Sequence, residues 1–157
     1  QADYAGARRS AQQVLDIDPE FSYLTDPVVY AHGAFGHWQE CIERARLVHV
    51  AVGNQPDYGA AICYAHGGDV AQARQILVQL ESAARDHYAD HSSIAAVRAA
   101  LGDKKGAIDA LEQAYRDRSQ PLLNMWFTPE FKSLRDDPRY IALNDKLYAS
   151  LKPKAEP

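Results

Sequence analysis

The sequence lacks several features that define large classes of protein. No apolar run in its 157 residues approaches the roughly 18 residues that a membrane-spanning helix needs. The start, Gln1-Ala-Asp-Tyr, shows no basic-then-apolar signal peptide, and no Gly-x-x-x-x-Gly-Lys phosphate loop occurs anywhere. We therefore expect no membrane partner. Because the chain starts without Met, we interpret it as a piece of a longer polypeptide.

Basic charge and cysteine are also scarce. Seventeen basic against twenty-one acidic residues give a net charge of −4, which disfavours a nucleic-acid partner. The only two cysteines, Cys41 and Cys63, are too few for the disulfide framework of a small secreted protein. We interpret them as buried, reduced thiols and expect a cytoplasmic location.

The sequence does contain a helical pattern that repeats along the chain. Its hydrophobic fraction of 46% suffices for one core, and four segments repeat the same helical stripe of apolar residues. Each stripe opens with a small residue that lets two helices approach closely, and these residues lie 34, 32 and 34 positions apart. The segments are Asp3–Asp16, His37–Val50, Asp69–Ala84 and Asp103–Arg116, and their small residues are Ala7, Cys41, Ala73 and Ala107.

The turns repeat with the helices. Gly68-Asp69 and Gly102-Asp103 lie 34 residues apart, and Gly36 stands in the same place before the second segment. This pattern predicts a left-handed glycine after one helix and an aspartate cap on the next. The string Tyr-Ala-His-Gly also occurs twice, at 30–33 and 64–67.

The 34-residue spacing of helix pairs, the small residues at close contacts and Asp18-Pro19 after a helix resemble the tetratricopeptide repeat family. The resemblance covers about residues 3 to 120, as one half-repeat and three full repeats. It implies an all-α fold, a right-handed superhelical solenoid of antiparallel helix pairs. We expect repeats over 1–120, a C-terminal capping segment over 121–151 and a flexible tail over 152–157.

The capping segment has a pattern of its own. Asp137 is predicted to cap a last helix in which Pro138 is the first residue. The string from Phe131 to Tyr140 is similar to the C-terminal tail of many bacterial tetratricopeptide proteins, in which the repeats often follow a nucleotide cyclase, a kinase or a transcription activator. We therefore expect a larger signalling or regulatory protein.

Little in the sequence favours catalysis or metal binding. His87 and His91 are spaced as two ligands on one helix face, but no third ligand follows at a fixed spacing. No Gly-x-Ser-x-Gly string is present, and the paired aspartates lie at helix ends, where capping explains them. We expect no catalytic residue, no metal site and no cofactor.

The remaining expectation is a binding surface. The tetratricopeptide resemblance implies a concave groove for a partner peptide or helix, without the cations that grip an acidic peptide terminus. Alternatively, the domain senses a metabolite or metal and regulates a fused effector. Self-association as a homodimer through an exposed repeat edge is a further possibility. The implied groove residues are Tyr23, Asp26, Tyr30, Gln55, Tyr58, Ile62, His66 and Ser92.

Overall fold

The computed structural model describes residues 3–18, 27–52, 56–86, 90–119, 122–123, 125 and 128–151. All regular structure in these residues is helical, which confirms the all-α class. The α-helices are α1 (Tyr4–Ile17), α2 (Pro27–Ala34), α3 (Trp38–Val52), α4 (Tyr58–Gly67), α5 (Val70–Asp86), α6 (His91–Ala100), α7 (Lys104–Arg116) and α8 (Pro138–Leu151), and a 3₁₀ helix spans Pro129–Leu134.

The four repeated segments form α1, α3, α5 and α7, as predicted. The small residue of each stripe lies inside: Cys41, Ala73 and Ala107 are fully buried, and Ala7 packs against the buried cluster between α1 and α2. Because these side chains are small, the partner helix approaches closely and the larger residues behind them fill the remaining space.

The helix ends also follow the predicted pattern. Gly36, Gly68 and Gly102 all have positive φ, and each lies in the turn that follows α2, α4 or α6. Asp69 and Asp103 accept hydrogen bonds from the backbone amides of Gln72 and Gly106. Each glycine therefore ends one helix, and after Gly68 and Gly102 the following aspartate starts the next.

The described contacts group the chain into two compact units, residues 1–89 and 90–157. In the first unit, consecutive helices from α1 to α5 pack against each other, and α2 also packs against α4. Its core includes Leu15, Val29, Ile42 and Ala61. Helical hairpins, each stabilised by its neighbours, make up this unit.

The second unit is built on the hairpin of α6 and α7. The 3₁₀ helix packs on both, and α8 packs on α7. Phe131 and Tyr140 are buried with their rings 6.5 Å apart, and the Tyr140 hydroxyl donates a hydrogen bond to the Met125 carbonyl. Asp137 caps α8 through the Arg139 amide, as predicted. The C-terminal segment thus covers apolar surface of α6 and α7.

The cysteine interpretation is wrong. Cys41 on α3 and Cys63 on α4 form a disulfide with their Cα atoms 5.6 Å apart, and no free thiol is present. The packing that brings α3 against α4 places the two residues opposite each other, which sequence spacing alone did not show. The burial was predicted correctly, since Cys41 and Cys63 are 0% and 1% exposed.

Across the described ranges, no helix is both long enough and apolar enough to cross a bilayer. The cytoplasmic location stays a prediction, and disulfides such as Cys41–Cys63 are uncommon in cytosolic proteins.

Candidate functional site

One contact between an aromatic ring and a histidine recurs with the repeat period. Tyr4 and Trp38 are the first residues of α1 and α3, and His32 and His66 lie near the ends of α2 and α4. Tyr4 and Trp38 are 34 positions apart in the sequence, and so are His32 and His66. The Tyr4 hydroxyl lies 2.8 Å from His32 Nδ1, and the Trp38 ring stacks on the His66 ring with centroids 4.4 Å apart. The same two places therefore come into contact in both helix pairs, through a hydrogen bond with tilted rings in the first pair and a ring stack in the second.

The rings around the turn between α2 and α3 extend this contact into a surface. Tyr4 also stacks on His37 with ring centroids 3.8 Å apart, and it lies against Phe35 at 5.5 Å. Trp38 and His66 complete the set. We call Tyr4, Phe35, His37, Trp38 and His66 the aromatic–histidine patch, which lies entirely in the first unit.

The local backbone explains why these side chains gather at the turn. The Gly36 amide bonds to the Gly33 carbonyl and the His37 amide to the His32 carbonyl, both at 3.0 Å. These two bonds, with the positive φ of Gly36, form a Schellman motif that reverses the chain. A Cβ on Gly33 would lie 3.6 Å from the Trp38 ring, so the indole rests directly on the end of α2.

The patch is partly open to solvent. His66 is exposed, the other four members are half-buried, and His32 beneath them is only 6% exposed. Glu40 borders the patch, with its carboxylate 3.5 Å from His37 Nδ1. A hydrogen bond from its own backbone amide lowers the pKa of Glu40, and His37 lowers it further. The patch therefore offers ring faces and imidazole nitrogens beside a carboxylate.

The predicted groove residues within the described ranges differ in burial. His66 belongs to the patch, Tyr58 is half-buried, and Ile62 and Ser92 are buried. Tyr30 lies within α2, and its side chain is outside the described part. Their partner-binding role stays a prediction. Three more predicted groove residues lie outside the described ranges: Tyr23, Asp26 and Gln55.

Ser92 instead belongs to a polar cluster in the second unit. The Asp90 carboxylate caps α6 by accepting from the Ser92 amide at 3.1 Å. It also accepts from the hydroxyls of Ser92, Ser93 and Ser119, at 2.5, 2.6 and 2.8 Å. Because all three hydroxyl protons point at one carboxylate, the serines are donors in this network. The cluster connects the start of α6 to Ser119, three positions after the end of α7, and stabilises the hairpin.

The histidine pair considered for a metal is only half described. His87 lies outside the described ranges, while His91 Nδ1 lies 2.9 Å from a carboxylate oxygen of Asp117. The contact is a close approach rather than a well-directed hydrogen bond, because Nδ1 has no partner of acceptable angle. Nowhere in the described residues do three or more histidine, cysteine or acidic side chains come together as a metal site would require.

Sequence reasoning missed four of the five patch residues: Tyr4, Phe35, His37 and Trp38. It placed the binding surface along the first helix of each pair, whereas these residues lie at a turn and at the starts of second helices. A usable signal was present. The repeated Tyr-Ala-His-Gly string relates His32 to His66, and the same 34-residue step relates Tyr4 to Trp38.

Comparisons with family models, curated proteins and solved structures find no match to this chain. The resemblance to tetratricopeptide repeats therefore stays a prediction from the residues.

Proposed function

We propose that this chain is a non-catalytic protein–protein interaction module that binds a peptide or helix of a partner protein. The observation that carries the proposal is the aromatic–histidine patch, a cluster of half-exposed rings around the turn between α2 and α3. Tyrosine and tryptophan dominate the energetics of protein interfaces because they bury a large area while a polar atom stays available for hydrogen bonding. Their mutual stacking reduces the rotamer entropy that binding would otherwise cost.

We propose further that the helix pairs are tetratricopeptide-like repeats in a right-handed solenoid, with α8 as the capping helix. Two features support this. The left-handed glycines that end α2, α4 and α6 lie 32 and 34 residues apart. The ring-on-histidine contact recurs with the same step, from Tyr4 and His32 to Trp38 and His66. A repeat fold suits recognition, because stacked hairpins hold side chains on a rigid frame.

The proposed partner segment is mixed in character. Half-buried rings favour apolar side chains, while His37 and His66 provide hydrogen-bonding nitrogens at the same surface. In an anionic chain the patch has no lysine or arginine among its members, so an acidic peptide would find no compensating charge there. We expect a peptide with one or two apolar anchors flanked by hydroxyl or amide groups.

The test is selection of peptides from a random library on the full chain, followed by affinity measurement with variants. His66→Ala is the main variant because the side chain is exposed, so its loss leaves the fold intact. We expect it to weaken selected peptides about tenfold or more, as loss of a central contact does. Trp38→Phe keeps an aromatic ring there and should have a smaller effect.

Tyr148→Ala is the matched control, since Tyr148 is a large side chain, 46% exposed, on α8 in the second unit. Its affinity should equal that of the unmodified chain. Peptides that bind His66→Ala and the unmodified chain equally well would contradict the proposal. A rise in Tm with Zn²⁺ or metabolites, and without peptide binding, would favour the sensing alternative.

A further inference from the structure

The disulfide and the exposed stack belong to one interface. Trp38 and Cys41 lie three positions apart on α3, and Cys63 and His66 lie three positions apart on α4. Residues with this spacing share a helix face. The Trp38–His66 stack and the Cys41–Cys63 bond are therefore neighbouring contacts between α3 and α4, one helical turn apart.

The interface around the bond has no spare room. Both cysteines and Ala61 are almost completely buried, and Ile42 is 4% exposed. A Cβ at Gly67 would clash with Ile42 Cδ1, so α3 and α4 touch where the chain leaves α4. Two reduced sulfurs need a van der Waals separation about 1.5 Å longer than a covalent S–S bond. A packed interior accommodates such a change by shifting side chains and the helices that carry them.

We propose that the Cys41–Cys63 disulfide is a redox-sensitive clasp, whose reduction moves α3 from α4 and takes apart the Trp38–His66 stack. A dithiol reductant supplies two electrons and two protons: its own sulfurs become a disulfide while Cys41 and Cys63 become thiols. The reduced state has a partner ready, because Cys41 Sγ lies 3.3 Å from the Val29 carbonyl oxygen, which can accept from a thiol.

The burial of both sulfurs determines how fast a reductant can break the disulfide. With both sulfurs shielded, a reductant reaches them only when α3 and α4 separate locally, so reduction is slow and coupled to opening. The inference rests on the proposed function only in naming the surface that the clasp controls.

The experiment follows Trp38 emission in the full chain carrying Trp126→Phe, which leaves Trp38 as the only indole. In oxidised glutathione we expect no titratable thiol after unfolding, and in a dithiol buffer two per chain. Reduction should shift Trp38 emission to longer wavelength as the ring loses its partner. It should also lower Tm by roughly 5–10 °C, because the cross-link no longer restricts the unfolded chain.

The matched control is Cys41→Ala with Cys63→Ala. This variant has no sulfurs to force the helices apart, so its emission should match that of the oxidised chain and stay the same in dithiol buffer. Two thiols per chain after equilibration in oxidised glutathione would overturn the proposal. So would complete reduction that leaves Trp38 emission unchanged.

Peptide binding separates this inference from the proposed function. If reduction shifts Trp38 emission while the selected peptides ignore His66→Ala, the clasp stands and the binding site is wrong. If His66→Ala abolishes binding while reduction changes neither emission nor affinity, the site stands and the clasp is wrong.

Discussion

Arg118 occupies a backbone conformation that three glycines share. Its φ is +55°, the only positive value at a non-glycine residue in the described ranges. The Arg118 amide bonds to the Tyr115 carbonyl and the Ser119 amide to the Ala114 carbonyl, which is the same Schellman pair that ends α2 and α6. In this conformation a side chain carries a steric penalty that glycine does not.

We predict that Arg118→Gly stabilises the protein by about 0.5–1 kcal/mol, because relief of the left-handed penalty exceeds the entropy cost of glycine in the unfolded chain. Arg118 is exposed, so the loss of its side chain removes no packing. The matched reverse change is Gly102→Ala, at φ +79° with open space around the new Cβ. It should cost about 1 kcal/mol by urea unfolding; equal stability of both variants would contradict the argument.

For individual residues, the sequence predicted contacts between near neighbours in the chain and missed contacts between residues far apart in it. The caps at Asp69 and Asp137 depend on amides two or three positions away, so residue type and spacing sufficed. Asp90 also binds Ser119, which is 29 positions away, and the Cys41–Cys63 pair spans 22. Such contacts exist only once helices have packed, and nothing in the adjacent residues encodes them.

The close packing of α5 and α7 against their partner helices depends on one small residue in each helix. Ala73 and Ala107 are both 0% exposed, at the point where a helix meets its hairpin partner. A larger side chain there has no cavity to fill and must separate the two helices.

We predict that Ala73→Leu and Ala107→Leu each destabilise the protein by roughly 1–3 kcal/mol through overpacking. Gln75→Leu is the control on α5, because Gln75 is exposed and the same side chain there should change stability by less than about 0.5 kcal/mol. Urea midpoints of the three variants give the comparison. If Ala73→Leu matched Gln75→Leu, the helix contact would not be a close one.

A charged network connects α8 to α7. Arg139 Nη2 lies 2.7 Å from an Asp109 oxygen and 2.9 Å from a Glu112 oxygen, and Lys105 binds Asp109 from the same helix. Hydrogen bonds from Lys105 and then from Arg139 lower the pKa of Asp109 from 3.8 to about 2. The carboxylates in turn raise the pKa of Arg139.

The lowered pKa of Asp109 determines the pH range over which this carboxylate stabilises the folded protein. Its folded pKa of about 2 lies below the ordinary 3.8, so its ionised form favours the folded state above that ordinary value. This contribution disappears as the pH falls through the folded pKa. We predict that the unmodified chain has a higher urea midpoint than Asp109→Asn above about pH 4, and that the two converge near pH 2. With Lys105→Gln and Arg139→Gln both present, most of the difference at neutral pH should vanish, because both hydrogen bonds that lower the pKa of Asp109 are then gone. A constant difference across this range would exclude the network.

Helix positions were largely predictable, because each stripe of apolar residues gives the extent of a helix and the glycine or aspartate before it marks the start. The four repeated segments agree with α1, α3, α5 and α7 to within two residues at either end. The 3₁₀ helix Pro129–Leu134 was not predicted, since six residues without a side-chain cap carry no periodic signal. Its position depends on packing of Phe131 and Leu134, both buried in the second unit.

For the molecule as a whole, the division at Ala89 and Asp90 has consequences for local stability. Each unit has buried residues and consecutive helix contacts of its own. The disulfide cross-links only the first unit, so its reduction should lower the local stability of that unit.

We predict that reduction of the disulfide accelerates hydrogen exchange at amides of α3 and α4 and leaves the amides of α6 and α7 unchanged. Exchange followed by mass spectrometry, with and without a dithiol, measures both sets in one sample. The Cys41→Ala, Cys63→Ala variant in the same dithiol controls for effects of the reagent itself. Equal acceleration in both units would show that they open as one cooperative body.

The positions that Cys41 and Cys63 occupy in the first unit correspond, by the repeat, to Ala107 and Val97 in the second. Both of those residues are completely buried and belong to the α6–α7 hairpin, which contains no disulfide. Each cysteine therefore has a hydrocarbon side chain at its own counterpart in the second unit. Transplanting alanine and valine from one unit into the other should yield a thiol-free molecule that keeps its architecture and no longer responds to oxidants.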